Sequence, residues 1–331
     1  MALDSTATAA VPRPGPADRT PWQHRLSEHI PLLSLIVLCI GFGFASSTFL
    51  TVRNLENVID QLTVLGIMSL GMTAVIVIGG IDLSVGSVLA LSMMVMGALN
   101  NMLGLPMPLA ILAGLAVGAM CGACSGLLIT RANLPPFIAT LAMMSIARGL
   151  ANMITDGSQI VGYPDWFSAM SIVRHFGFLS VTVALFLALT LVAGIYMKFR
   201  AGGRALYAIG GSSEVARLAG IPVKRLTLGV YAMCGLLAGL AGVVMSTRLD
   251  SSQPSGGLGY ELDTIAAVVI GGASLSGGVG SIWGTLMGIF TIGVLRNGLN
   301  LVGTSPFVQQ IVIGGVIVLA VMVDSNKRKV R

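Results

Sequence analysis

The sequence predicts an all-α polytopic membrane protein with about ten transmembrane helices. Of its 331 residues, 55% are hydrophobic and only 10% are charged, and the mean hydropathy is +0.90. Soluble domains carry about 25% charged residues, so this composition excludes an ordinary soluble protein. The 43 glycines and the low aromatic content of 6% are typical of helices that pack closely in lipid.

Long stretches without Asp, Glu, Lys or Arg mark the spans, because a bilayer core requires about 20 apolar residues per helix. These stretches are 29–52, 61–81, 83–130, 132–147, 176–197, 226–247, 264–295 and 297–323. The stretch 83–130 suffices for two helices, separated by a turn that holds two asparagines and two prolines. The run from Leu134 continues past Arg148 to Thr155 as one span. The stretch 264–295 is too long for one helix and too short for two, which predicts a short or broken eighth helix.

Basic residues divide unequally between the two sides of this ten-span arrangement. With the N-terminus inside, the cytoplasmic segments hold 14 of the 19 basic residues. The external segments hold Arg53, Arg174 and Arg248. Because Lys and Arg concentrate in cytoplasmic loops, the sequence predicts that both termini are cytoplasmic. The net charge of +6 is spread over loops rather than one face, so we expect no nucleic-acid partner.

The chain divides into three predicted parts. Residues 1–29 are typical of a disordered cytoplasmic leader, and residues 30–324 form the transmembrane domain, with a cytoplasmic loop at 198–225. Residues 325–331 form a basic cytoplasmic tail. A cleaved signal peptide is the alternative for the N-terminus, but the length of the leader and of the first apolar segment favours an uncleaved span.

Two glycine-rich segments match each other and predict an internal repeat. Val77-Ile-Gly-Gly-Ile-Asp-Leu-Ser84 parallels Val269-Ile-Gly-Gly-Ala-Ser-Leu-Ser276, which continues with two extra glycines. Both lie at the junction of two apolar runs and are too rich in Gly and Ser for a good continuous helix. Broken helices of this kind border polar cavities in transporters, whereas two similar tight turns are the simpler alternative. The candidate motif residues are Gly79, Gly80, Asp82, Ser84, Gly271, Gly272, Ser274 and Ser276.

Asp82 is the only acidic residue between Gln61 and Thr155. A carboxylate at membrane depth is costly unless it is paired or hydrated, which makes Asp82 a functional candidate. It also lies just before the next span, where it can accept backbone N–H bonds as a helix cap. In the second copy, Ser274 aligns with Asp82, so the two copies differ chemically.

No arrangement of residues for covalent chemistry is recognisable in the sequence. Cys121 and Cys124 have the spacing of a redox or zinc pair, but they lie among small residues of a span, which favours helix packing. The sequence contains no phosphate-binding glycine loop, catalytic triad or metal-ligand cluster. We therefore expect no enzymatic activity, no cofactor and no metal site in this chain.

Three further segments, together with the two glycine motifs, resemble the permease subunits of bacterial ribose-type (monosaccharide) ABC importers. They are 134–150, 208–221 and 297–311, and the resemblance extends from about Asn54 to Asp324. It implies a multi-pass permease of the inner membrane that works with a second permease copy. It also implies a cytosolic ATPase subunit, which binds ATP and magnesium, and a periplasmic sugar-binding protein.

A sugar is neutral and rich in hydroxyl groups, so its path should be lined by hydrogen-bonding side chains rather than charges. By position and chemistry the candidates are Asn152, Asn297, Asn300, Gln309 and Gln310, with Phe137 and Phe307 as apolar walls. The alternative is that these amides hydrogen-bond between helices and serve only packing.

Residues 212–222 predict a short amphipathic helix within the longest cytoplasmic loop. Ser212 or Ser213 can cap it, and Gly220 and Pro222 end it. The apolar side chains on one face of this helix require a surface that covers them, either lipid headgroups or a partner protein. By its resemblance to the importer family, the segment is a coupling helix that contacts the ATPase. The candidate contact residues are Glu214, Ala216, Arg217, Leu218 and Gly220.

Two other functions remain open at this stage. The same machinery could carry a nucleoside, a polyol or an autoinducer-type sugar derivative. An ion-coupled secondary transporter would normally require acidic residues or a charged relay inside the spans, and Asp82 alone is thin support for one.

Overall fold

The computed structural model describes residues 21–175 and 179–329, with side chains at 32–175, 179–319 and 322. Within these residues the chain forms thirteen helices and one small antiparallel sheet, in which Ile160 pairs with Ser252. The helices are α1 Pro21–Ala45, α2 Val52–Val77, α3 Val85–Asn101, α4 Met107–Thr130, α5 Pro136–Met153, α6 Asp165–Ile172, α7 Val181–Phe199, α8 Ala201–Gly211, α9 Ser213–Leu218, α10 Val223–Leu249, α11 Tyr260–Ile270, α12 Ile282–Leu301 and α13 Pro306–Lys329. The strands are β1 Ile160–Val161 and β2 Ser251–Ser252.

Five helices of the described chain are long and apolar enough to cross a membrane, namely α2, α4, α7, α10 and α12. Shorter apolar helices cover 32–45, 85–101 and 306–319. The predicted all-α membrane fold is thus confirmed, whereas the count of ten spans stays a prediction. The predicted eighth span corresponds to α11, which has only 11 residues. At 1.5 Å per residue it covers about half of a bilayer core.

The core of the fold is built around α2 and α10, which contact each other and most of the remaining helices. Glycines allow α4 to approach α10 closely: a Cβ on Gly122 would lie 2.1 Å from the Tyr231 carbonyl oxygen, and one on Gly235 would lie 2.2 Å from the Gly118 carbonyl oxygen. Small residues at such contacts let helix backbones pack together in membranes. Cys121 and Cys124 lie on this glycine-rich helix as free thiols.

Two helices extend across predicted domain boundaries. Helix α1 begins at Pro21, so residues 21–29 of the predicted disordered leader are helical, while 1–20 lie outside the described residues. Proline suits the first position of a helix, and the residues between Pro21 and Ile30 contain no glycine. Helix α13 continues to Lys329, into the predicted tail, because no glycine or proline stops it and basic residues suit a helix C-terminus. Residues 330–331 lie outside the described part of the chain.

Candidate functional site

The first glycine motif breaks the chain between α2 and α3, as predicted. Backbone bonds from Gly79 to Ile76 and from Gly80 to Val75 close the end of α2. Gly79 has a φ of +79°, a conformation that favours glycine. A Cβ on Gly80 would lie 2.3 Å from the Tyr231 hydroxyl oxygen, so this position has no room for a side chain.

Asp82 lies in this break and is fully buried, with an exposed fraction of 0%. Its Oδ1 accepts hydrogen bonds from the backbone N–H of Ser84 at 2.9 Å and from the Ser84 hydroxyl at 2.6 Å. Ser84 is the residue that precedes α3, so the carboxylate holds the turn from which α3 starts. Ser84 occupies the cap position of α3 and makes no side-chain cap bond, so Asp82 stabilises the turn before the helix rather than the first N–H groups of the helix.

The second glycine motif forms the loop between α11 and α12, also as predicted. Gly272 has a φ of +93°. The backbone N–H of Ser274 donates to the Val279 carbonyl at 3.0 Å, and the backbone N–H of Gly277 donates to the Ser274 carbonyl at 2.9 Å. Ser276 is exposed. A Cβ on Gly271 would lie 2.3 Å from the Gly284 carbonyl oxygen, which shows how closely α11 approaches α12.

The two glycine motifs lie against each other. The backbone N–H of Gly278 donates to the Val77 carbonyl at 2.8 Å, and a Cβ on Gly79 would be 3.5 Å from the Ser276 carbonyl oxygen. The matching sequences therefore place two interrupted segments side by side. Their sequence similarity alone did not predict this contact.

Two long-range contacts of charged side chains within the helical bundle, an ion pair and a hydrogen bond, were not predicted. The Asp263 carboxylate of α11 pairs with the Arg296 guanidinium of α12 at 2.6 Å, and Arg296 lies 5.7 Å from the Tyr260 ring centre. Arg148 of α5 donates to the carbonyl of Gly256 at 3.0 Å and anchors the segment before α11. Long-range pairs of this kind leave no local sequence signal beyond the presence of a charge in an apolar run.

The predicted path residues occupy different environments. Phe137 and Asn152 lie on the exposed face of α5, and Asn152 borders a shallow surface depression with Gly149 and Asp156. Asn300 and Phe307 are exposed, near the turn between α12 and α13.

Three of the predicted path amides have specific partners inside the chain, including Asn152, whose side-chain amide donates to the Arg148 carbonyl at 2.8 Å. Asn297 is buried, and its side chain exchanges two hydrogen bonds with Asn54 of α2, at 2.9 Å and 3.0 Å. This corrects the prediction for Asn297, because a buried amide paired in both directions is an interhelical link and does not face a path. Gln309 donates to the carbonyl of Thr304 at 3.0 Å, at the start of α13.

The predicted short helix of the cytoplasmic loop is present as α9, and Ser212 is its cap, accepting a bond from the Val215 N–H at 3.3 Å. Gly220, at a φ of +81°, ends it. The apolar stripe faces outward, with Val215 64% exposed and Leu218 73% exposed. Ala216 is only 2% exposed, which corrects its assignment as a partner contact: it packs inward, where α9 meets α8 and α10.

Glu214 and Arg217, the charged pair of α9, form an ion pair with each other at 2.7 Å. Both side chains are about two-thirds exposed. The hydrogen bond from the guanidinium to Glu214 raises the pKa of Arg217. The exposed surface of α9 therefore combines two apolar side chains with a charged pair.

Comparison with known proteins identifies the family of this fold. A family model described as the permease component of a branched-chain amino acid transport system matches residues 54–321. The chain belongs to this family of permeases. It is 43% identical over 308 residues to the ribose import permease of Escherichia coli K12, covering 92% of this chain and 95% of the relative.

Other relatives are similar over comparable lengths. The ribose import permease of Bacillus subtilis strain 168 is 44% identical over 90% of this chain and 92% of its own length. The fructose import permease of Rhizobium meliloti is 35% identical over 93% of this chain and 88% of its own length. These matches confirm the resemblance to ribose-type importer permeases. The chain is a multi-pass membrane permease of an ATP-binding cassette (ABC) importer family.

Proposed function

We propose that this chain is the permease subunit of an ABC importer that moves a monosaccharide, such as ribose or a related pentose or hexose, across the inner membrane. Two copies would form the pathway, a cytosolic ATPase subunit would bind ATP and magnesium, and a periplasmic binding protein would deliver the sugar. The similarity over nine-tenths of the chain to permeases named for ribose and fructose carries this proposal. The chain itself would catalyse no reaction.

The exposed α9 supports the ATPase partner. Val215 and Leu218 project from a short helix between two cytoplasmic-loop segments and would bury their apolar surface in a groove of the ATPase. Glu214, Arg217 and Gly220 would complete the contact, as the sequence predicts. The charge asymmetry of the loops supports a cytoplasmic position for α9 and for both termini.

The exposed face of α5 supports a path for a neutral ligand. Phe137 would supply an apolar wall and Asn152 a hydrogen-bonding amide beside the shallow surface depression. Asn300, Phe307, Gln309 and Gln310 stay as further candidates.

A branched-chain amino acid is the second candidate cargo, because the matching family model is described by that class. A zwitterion carries an ammonium and a carboxylate, and its path would require charged partners. The predicted path residues are amides and aromatic rings, which suit a sugar better.

Uptake into proteoliposomes tests the proposal. The permease is reconstituted with the ATPase subunit that co-purifies with it, and the sugar-loaded binding protein is added outside with labelled ribose, fructose or xylose. We expect sugar to accumulate only when the ATPase can hydrolyse ATP. Accumulation of leucine instead would support the amino-acid cargo. Uptake driven by an ion gradient without ATP would contradict the importer class.

Docking of α9 is tested by Leu218→Asp, which places a charge in the apolar stripe. We expect ATPase co-purification to fall about tenfold, the effect of losing one hot-spot contact. Leu103→Asp, in the turn between α3 and α4, is the matched control, because Leu103 is 72% exposed and lies outside the apolar helices; it should leave co-purification unchanged once membrane levels are equalised. Equal co-purification with Leu218→Asp and the wild type would contradict the assignment of α9.

A further inference from the structure

Three segments that are distant in sequence meet at one point, which we call the glycine junction. It consists of residues 77–80 at the end of α2, residues 276–280 of the α11–α12 loop and residues 207–210 near the end of α8. A Cβ on Gly210 would lie 1.9 Å from the Val77 carbonyl oxygen and 2.3 Å from the Gly278 nitrogen. The three backbones thus touch with no space for a methyl group.

Gly277 completes this contact from the second loop. A Cβ on Gly277 would lie 2.8 Å from the Gly79 nitrogen and 2.9 Å from the Gly210 Cα. Backbone atoms in contact cannot shift aside in the way that the end of a flexible side chain can. The three segments must therefore move together or separate completely.

Two hydrogen bonds hold the junction. The Gly278 N–H donates to the Val77 carbonyl at 2.8 Å, joining the two glycine motifs. The Tyr207 hydroxyl of α8 donates to the Gly280 carbonyl at 2.9 Å, joining α8 to the second motif. Burial raises the pKa of Tyr207, so its hydroxyl stays a donor at neutral pH.

The junction is connected to α9 without a flexible linker. Ser212 alone separates α8 from α9, and it serves both helices. Its N–H donates to the Ala208 carbonyl at 3.1 Å, and its hydroxyl caps α9. On the inner side of α9, Ala216 is buried against the rest of the chain. A displacement of α9 is therefore passed to α8 and from there to the junction.

The other side of the junction leads into the buried core. Gly79 lies three residues before Asp82, whose carboxylate holds the start of α3. The segment 276–280 lies directly before Ser281, which caps α12. Each break therefore connects the junction to the start of one helix.

We infer that the glycine junction transmits the movement of α9 to both interrupted helix pairs, α2–α3 and α11–α12, in a single step. Gly210, Gly277 and Tyr207 are positioning residues of this transmission. The inference rests on the proposed function, in which an ATPase moves α9, and it adds the route by which that movement reaches the spans.

Gly210→Ala tests the junction, with Gly211→Ala as its matched control. The control is the next residue, where a Cβ would meet nothing within 4 Å. In proteoliposomes that contain the ATPase, we expect Gly210→Ala to keep ATPase binding and basal ATP hydrolysis. The number of sugar molecules transported per ATP should fall about tenfold, because the variant weakens the coupling between the ATPase contact and the spans. Gly211→Ala should transport sugar as the wild type does.

Tyr207→Phe provides a milder variant in case Gly210→Ala does not fold. It keeps the ring and removes only the donor to Gly280, so we expect membrane levels to stay normal while sugar transported per ATP falls about threefold. Wild-type transport per ATP in both variants, with normal folding, would overturn the inference. Loss of ATPase binding in both would also overturn it, since the junction would then shape the docking surface instead. A wild-type permease that shows no ATP-dependent uptake would refute the proposed function itself.

Discussion

The two glycine motifs share the sequence Val-Ile-Gly-Gly but are stabilised in different ways. In the first, the break is short and the buried carboxylate of Asp82 lies inside it, bonded to Ser84. In the second, Ser274 occupies the aligned position, two glycines extend the loop, and backbone bonds at Ser274 and Gly277 hold it. The shared residues thus specify where the helix stops, while the residues that follow decide how rigid the break is.

The second unit also has a buried carboxylate, but at a different place. Asp263 lies within α11, seven residues before that helix ends at Ile270, and pairs with Arg296 of α12. The first unit therefore anchors its break directly, whereas the second anchors the two helices that flank its loop. The first break is thus held by a side chain inside it, and the second loop by its own backbone bonds together with the ion pair of its flanking helices.

Asp263→Ala should have the largest effect on stability, because it leaves the Arg296 guanidinium without its partner inside the bundle. Breaking a buried ion pair costs about 3–5 kcal/mol. Because Arg296 is partly exposed, we expect the free energy of unfolding to fall by about 3 kcal/mol. Denaturation by SDS in mixed micelles measures it. Asp263→Asn, which retains an oxygen acceptor, is the control and should lose less. Equal stability of Asp263→Ala and the wild type would show that the ion pair does not join α11 to α12.

Asp82→Ala tests the anchor of the first unit. It removes the acceptor of two buried donors on Ser84, which should cost about 2 kcal/mol. Asp82→Asn should retain most of the stability and the transport, because Asn also accepts such bonds. Ser274→Ala, at the aligned position of the second motif, keeps the backbone bonds of that loop and should cost less than Asp82→Ala. Loss of transport in Asp82→Asn at normal membrane levels would instead indicate that the charge of Asp82 is required.

Local patterns in the sequence predicted much of this site. The apolar runs located the helices, Gly79 and Gly80 marked the first break, and Ser212 and Gly220 marked the ends of α9. Each of these features depends on the backbone preferences of a few neighbouring residues. They can therefore be read without knowledge of the tertiary structure.

Contacts between distant segments could not be predicted in the same way. Asn297 was assigned to the path, yet its partner Asn54 lies 243 positions away. Ala216 was assigned as an ATPase contact through the family resemblance. With only six residues, α9 is too short for its sequence to show which side packs inward. Two further contacts depend on how several helices are arranged: Asp263 pairs with Arg296, and Gly210 meets Val77. No spacing of residues in the sequence encodes that arrangement.

The smallest expected effects compare one glycine from each motif. In Gly80→Ala, the added methyl group meets the Tyr231 hydroxyl at 2.3 Å in a fully buried place, and overpacking should cost about 1.5 kcal/mol. In Gly272→Ala, nothing lies within 4 Å of the methyl group, but the φ of +93° is strained for alanine and should cost about 1 kcal/mol. Tyr231→Phe removes the atom that the methyl group meets, so we expect the double variant Gly80→Ala/Tyr231→Phe to recover most of the lost stability. The same Tyr231→Phe change should not rescue Gly272→Ala, because backbone strain has no colliding partner to remove. Unfolding of these variants and of Tyr231→Phe alone in mixed micelles measures the comparison. A Gly80→Ala variant that Tyr231→Phe does not rescue would show that contact with the Tyr231 hydroxyl does not limit this position.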